Sequence, residues 1–289
     1  MDKHVIAIGG GGFGRNPGDG YIEQYILDQT GKKEPNICFI PTATGDNDAY
    51  KVNYYSTFSK LSCNPVHLDF FHRTPDLEKL ILEQDAIFVG GGNTKSMLAV
   101  WRDWGLDKLL KTAYDNGTVM SGVSAGANCW FERAVVDSWV EDLKVIDCLG
   151  FLEGNYCPHY DEEPQRRPSV KKFLEEGTFN SCYASEGNAA LHVKNYGTVE
   201  NEPIELDSIE IYWINDDGKV YKVQTYFGPP EGRTLDPFFS KKETIEHPLD
   251  IASIPIAPDP EKQSRNEIFE KSHFENGDIE FEMSVSNSK

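Results

Sequence analysis

Basic residues are scarce in this chain: 28 Lys and Arg stand against 47 Asp and Glu, a formal net charge of −19 over 289 residues. A field of that sign repels nucleic acid phosphates and anionic lipid headgroups, so neither nucleic acid nor a membrane is expected as a partner. Long hydrophobic runs are absent as well, and the N-terminal Met1–Ile8 passes straight into a strand pattern that glycine soon breaks. Nothing there has the form of a signal peptide or a membrane span. The six cysteines include no C-x-x-C pair, and some sit in apolar runs such as Ile37–Ile40. Reduced thiols and a cytoplasmic location are therefore expected. Cys63, His67 and His72 match no standard ligand spacing, and no metal is expected. Internal repeats are also missing.

What is present is a chain with 39% hydrophobic and 12% aromatic residues, enough for a sizeable core. Through the first half, strand-like runs (Val5–Ile8, Ile37–Ile40, Val66–Phe71, Ala86–Val89, Thr118–Met120) alternate with helical patterns over Gly20–Gln29, Tyr50–Leu61, Pro75–Glu83, Thr94–Trp101 and Leu106–Asn116. Strands joined by crossover helices give an α/β fold, a mostly parallel sheet with helices on both faces and a crevice at the strands' carboxyl ends. Later runs, Ala189–Val193, Ile209–Ile214 and Val220–Tyr226, flank a hairpin signal at Asn215–Gly218, so the sheet is expected to finish antiparallel. The domain is expected over 1–234. Prolines and charges then replace periodicity in 235–289, an extension that packs on the domain or is partly disordered.

The most informative segment is Gly122-Val123-Ser124-Ala125-Gly126, which follows a short apolar run and fits the G-x-S-x-G nucleophile elbow. A serine on a sharp strand-to-helix turn presents its hydroxyl outward, and small neighbours let the turn close. That hydroxyl needs a base, an acid to orient the base, and donors for an oxyanion. His159, after Pro158 where a strand runs into a loop, is the candidate base. Glu186, between Cys182-Tyr183-Ala184 and Gly187, is the candidate acid. Asp137 competes with it, whereas Asp161 and Glu162 look too near His159 in sequence to reach its far nitrogen. The run Gly90-Gly91-Gly92-Asn93-Thr94 between strand and helix is a candidate oxyanion loop, with the Ala125 amide as second donor.

A second glycine cluster, Gly9–Gly14, formally fits G-x-G-x-x-G and raises a dinucleotide site. Asn16-Pro17-Gly18 interrupts the helix such a site requires, and no acid follows the next strand to hold a ribose. No cofactor is expected.

Taken in order, Gly90–Thr94, Ser124-Ala125-Gly126-Ala127-Asn128, Pro158-His159 and Glu186-Gly187-Asn188 resemble the peptidase E family of serine peptidases, relatives of cyanophycinase, over roughly residues 3–230. The resemblance implies a three-layer, flavodoxin-like sandwich similar to class I glutamine amidotransferases, and cleavage of small peptides without metal or cofactor. It matches Ser124 to the nucleophile, His159 to the base, Glu186 to the third member, and the Gly92 and Ala125 amides to the oxyanion hole. It further implies preference for an N-terminal acidic residue. Asn93, Arg166 and Arg167 are the candidate substrate-binding residues, the arginines through bidentate contacts to a carboxylate. The extension is free to cover the cleft or to mediate a homodimer.

Two rivals remain open. An α/β-hydrolase esterase would take His192 or His247 as its base. A catalytically silent member of the fold would bind a ligand without turning it over.

Overall fold

The computed structural model describes residues 2–15, 20–140, 142–179 and 181–194, and five later strands. The first half consists of β1 (His4–Ile8), α1 (Tyr21–Asp28), β2 (Asn36–Ile40), α2 (Asp48–Phe58), β3 (Asn64–His67), α3 (Leu77–Leu82), β4 (Ala86–Val89), α4 (Thr94–Trp104), α5 (Leu106–Asp115) and β5 (Val119–Val123). It continues through α6 (Ala125–Asn128), β6 (Phe131–Val136), β7 (Lys144–Asp147), β8 (Leu152–Cys157), α7 (Arg166–Glu175), β9 (Tyr183–Ala184) and β10 (Ala190–Lys194). The later strands are β11 (Glu210–Ile214), β12 (Val220–Val223), β13 (Glu243–Glu246), β14 (Lys271–Glu275) and β15 (Asp278–Glu282).

The parallel strands form because both of their faces are apolar. In β1, Val5 and Ala7 enter one core while Ile6 and Ile8 enter the other. In β2, Cys38 and Ile40 alternate with Ile37 and Phe39 in the same way. A period-two side-chain pattern with no polar member can only be buried on both sides, which requires helices on both sides. Ile26 of α1 with Tyr54 and Phe58 of α2 cover one face; Leu98 and Trp101 of α4 with Leu110 of α5 cover the other. Each such fully buried side chain contributes roughly 1.5–3 kcal/mol. Asn47, Asp76 and Asn93 start α2, α3 and α4 by accepting a backbone amide into the side chain.

These layers make the α/β sandwich. Its large sheet runs β14-β15-β13-β12-β11-β10-β1-β5-β4-β2-β3. The segment from β3 to β1 is parallel, and from β1 through β10 to β14 every pairing is antiparallel. The antiparallel finish follows the expectation, although the turn at 215–218 lies outside the described residues.

Three differences have physical causes. β3 begins earlier than expected and ends at His67, because the Asp46 carboxylate takes the amides of Phe70 and Phe71 out of the ladder. A second sheet, β7-β6-β8-β9, lies where strands were not read over 131–152. The β6–β8 register shifts between Phe131 and Arg133, and that irregularity breaks the alternation that would have announced β6. In the extension, Asp278-Ile279-Glu280-Phe281-Glu282 alternates acid and apolar at strand period and forms β15. Apart from β13, β14 and β15, residues 235–289 lie outside the described residues.

Candidate active site

The carboxyl ends of β1, β4, β5 and β8 converge. Ser124 follows β5 directly, with φ 54 and ψ −109, and its amide donates to the Ile8 carbonyl at 2.9 Å. Few non-glycine residues adopt this backbone, and it lifts the hydroxyl away from the sheet. The flanking glycines are steric necessities. A Cβ on Gly122 would lie 2.5 Å from the Gly126 carbonyl oxygen and 2.8 Å from that of Val89, and one on Gly126 would collide with the Val89 carbonyl.

His159 stands just beyond β8, also with positive φ (53), its amide donating to the Gly9 carbonyl at 3.1 Å. Its Nε2 lies 2.8 Å from Ser124 Oγ, and its Nδ1 lies 2.6 Å from Glu162 Oε2. A carboxylate only accepts, so Nδ1 carries the proton and donates to Glu162, leaving Nε2 to accept from the serine hydroxyl. The imidazole side chain is 7% exposed. Ser124 and His159 are thus brought together as expected from the sequence.

The acid on the ring is Glu162, not Glu186. The amides of Glu162 and Glu163 both donate to the His159 carbonyl, closing a tight turn that folds Glu162 back beneath the ring. Its carboxylate sits in a slot between two glycines. A Cβ on Gly10 would lie 2.6 Å from His159 Nδ1 and 2.8 Å from Glu162 Oε2, and a Cβ on Gly187 would overlap the Glu162 carboxylate. The second oxygen, Oε1, accepts from Arg15 Nη1 at 2.7 Å.

Glu186 lies half-buried nearby without a bond to His159, and its inaccessible Oε1 has no hydrogen-bond partner among the described residues. Burial, with repulsion from Asp161 and against the pull of Arg167, pushes its carboxyl up to about 8. Asp137 pairs with Arg166 at 3.6 Å instead of approaching His159.

The glycine run after β4 reaches the serine: a Cβ on Gly91 would lie 3.3 Å from Ser124 Cβ. The Gly91 amide donates to the Tyr50 hydroxyl at 3.3 Å. Among the described residues, no acceptor in the protein takes the amide of Gly92 or of Ala125, the two donors expected at an oxyanion hole. A cavity of about 390 Å³ opens over Ser124, lined among others by Arg15, Tyr50, Asn53, Gly92 and His159.

The expected substrate-binding residues do not line it. Asn93 is consumed in structure, its Oδ1 accepting from Ser96 and its Nδ2 donating to Ser138. Arg166 is 1% exposed and fixed by Glu163 at 2.7 Å and the Val135 carbonyl at 2.9 Å. Arg167 donates to the Tyr160 carbonyl and stacks on the Tyr160 ring. The cation on the cavity wall is Arg15. Sequence reasoning misses it because the Gly9–Gly14 cluster reads as a phosphate loop; in the folded chain Gly10 makes room for the His159–Glu162 pair, while Gly9 and Gly11 pack against Ser185, Glu186 and Asn188.

An esterase using His192 is excluded by geometry. Both ring nitrogens of His192 are engaged, Nε2 with His4 and Nδ1 with Tyr25, and burial beside His4 and Lys194 drives its imidazole down to about 3. His247 lies outside the described residues. Among the described residues no three His, Cys, Asp or Glu side chains gather as a metal site, and no helix is long and apolar enough to cross a membrane.

The chain has relatives of known family. The family model for peptidase family S51 matches residues 5–200. The uncharacterized peptidase YgaJ of Bacillus subtilis is 46% identical over 194 residues, covering 67% of this chain and 84% of its own length. Peptidase E of Haemophilus influenzae is 31% identical over 188 residues, covering 61% and 83%. The crystal structure of a peptidase from an acI-B1 actinobacterium superposes with a TM-score of 0.60 at 17% identity, covering 86% of this chain and 95% of that one, a likeness of fold. With a serine elbow, an imidazole on its hydroxyl and a family model spanning the domain that carries both, the chain belongs to peptidase family S51, the peptidase E family of serine peptidases.

Proposed function

We propose that the protein hydrolyses small peptides through an acyl-enzyme on Ser124. His159 Nε2 takes the hydroxyl proton as Oγ attacks the scissile carbonyl, and the carbonyl oxygen gains negative charge against the Gly92 and Ala125 amides. The protonated His159 then gives its proton to the leaving amine as the C–N bond breaks. Water attacks the ester by the same route and frees the acid and the serine. Glu162 holds the ring in the required tautomer and stabilises the imidazolium, the role the family pattern had suggested for Glu186. The observation that carries this reading is the continuous chain Ser124 Oγ, His159 Nε2, His159 Nδ1, Glu162 Oε2, with contacts of 2.8 and 2.6 Å.

The substrate class is small peptides with an acidic residue on the amino side of the cleaved bond. A cavity of about 390 Å³ suits a short peptide, and Arg15 supplies a cation to its wall. The name "Probable alpha-aspartyl dipeptidase", carried by a Drosophila melanogaster relative 32% identical over 127 residues, points the same way. The test is a screen of dipeptides varied at the first residue, with Ser124→Ala as control. Turnover of the Asp- and Glu-initiated members, lost about 10,000-fold or more in the variant, is expected. Undiminished turnover by Ser124→Ala would refute the assignment.

A further inference from the structure

We propose that Arg15 is a positioning residue for the catalytic imidazole, acting through Glu162. This rests on the Ser124–His159 reading above and adds to it a residue from a segment distant in sequence, the loop after β1. A glutamate side chain has three rotatable bonds, and one hydrogen bond to Nδ1 leaves the carboxylate free to swing about that contact. Two restraints remove this freedom. The backbones of Gly10 and Gly187 approach the carboxylate so closely that a methyl group on either would overlap it. Arg15 Nη1 then takes Oε1 at 2.7 Å while Oε2 stays on His159. Each carboxylate oxygen has its own charged or polar donor, and the plane of the group is set by two directions instead of one.

Three separate segments meet in this arrangement: the glycine loop after β1 brings Arg15 and Gly10, the turn after β8 brings His159 and Glu162, and the loop after β9 brings Gly187. The loop is fixed relative to the ring by the His159 amide bond to the Gly9 carbonyl. Arg15 is about half exposed in the free protein, where such a pair is worth little. It also lines the cavity, so a bound peptide covers it and removes the water that screens the pair. The contact therefore tightens when substrate is present, which is when the imidazolium forms.

A cation on the cavity wall has an obvious alternative role, binding a substrate carboxylate. The test separates the two by using a small uncharged fluorophosphonate, which reacts with the activated serine and offers Arg15 nothing to bind. The second-order labelling rate of Ser124 is measured for the full-length protein and for Arg15→Gln, Arg15→Lys, Glu162→Gln and the Arg15→Gln/Glu162→Gln double variant. Thermal melting serves as the fold check. Arg15→Met, which keeps the aliphatic stem, repeats the measurement if Arg15→Gln melts early. Labelling about 5-fold slower in Arg15→Gln, the scale of one partly exposed ion pair, is expected. Recovery in Arg15→Lys, and no further loss when Arg15→Gln is added to Glu162→Gln, complete the expected pattern. Equal labelling of Arg15→Gln and wild type would overturn the inference and leave Arg15 as a substrate ligand; losses that multiply in the double variant would overturn it by showing that Arg15 acts independently of Glu162. Failure of the wild type itself to label would remove the serine reading and this inference with it.

Discussion

Glu162 and His159, three residues apart, face each other across 2.6 Å because the turn between them begins with a histidine in the left-handed region. Sequence proximity, which argues against such a contact in an extended or helical chain, becomes its cause once φ of His159 is positive. Glu186, better spaced by the family pattern, is left half-buried and unbonded at Oε1.

The two carboxylates are therefore expected to separate cleanly in kinetics. Glu162→Gln replaces an acceptor by a group that can present a donor to Nδ1 and favour the wrong tautomer. A fall in kcat of about 100- to 10,000-fold is expected, the range seen when the orienting acid of a serine triad is neutralised. Glu186→Gln is expected to keep kcat within about 3-fold, because a neutral isostere stands where a mainly protonated acid stood. Steady-state kinetics on a cleaved dipeptide checks both; the reverse ranking would return the acid to Glu186.

Stability carries the complementary sign. The folded carboxyl of Glu186 is raised to about 8, above its ordinary 4.5. Below the unfolded value both states hold the proton and nothing is lost. Between about 4.5 and 8 the unfolded chain releases it and the folded chain keeps it, so stability falls as pH rises, and the loss levels off above the folded value. Glu186→Gln has no such slope. It is expected to melt with the wild type at pH 4.5 and several degrees above it at pH 8, at about 2–4 °C per kcal/mol for a chain of this size. Parallel melting curves across that window would show that the acid is not protonated in the fold.

How much of this was legible follows from how local each signal is. The elbow at Ser124 is written in five consecutive residues, since Gly122 and Gly126 must each lack a Cβ against the Val89 carbonyl. The parallel strands are written in runs such as Val5–Ile8, apolar on both faces. His159 was legible through its proline and its place at a strand end. Glu162 and Arg15 were not, because their roles depend on one backbone dihedral and on a contact 147 residues apart in the chain. The burial of Arg166 is not legible either, because two adjacent arginines opening a helix give no sign of which one is buried.

The glycine slot gives another expectation. Gly10→Ala places a methyl group against His159 Nδ1 and Glu162 Oε2, both nearer than any real Cβ contact allows. Something must shift, and the ring is the element with a catalytic distance to lose. A loss of about 100-fold in kcat/KM is expected, the cost of misplacing a reacting group by about 1 Å. Activity near wild type would mean that the slot is looser than its geometry and would weaken the claim that the glycines hold Glu162 in place.

Arg166 separates structure from recognition. Its guanidinium is sealed inside the fold, with Nε on Glu163 and Nη1 on the Val135 carbonyl. Removing it takes a charged donor from that buried carbonyl and the cation from Glu163, so Arg166→Ala is expected to cost about 2–4 kcal/mol of folding stability. Glu163 keeps 27% of its side chain in solvent, which holds the cost toward the lower end. Because Arg166 lies off the cavity, the folded fraction is expected to retain the KM of the parent for acidic dipeptides. Urea denaturation read beside KM at a temperature where the variant is folded makes the distinction. A large rise in KM with unchanged stability would return the substrate carboxylate to Arg166.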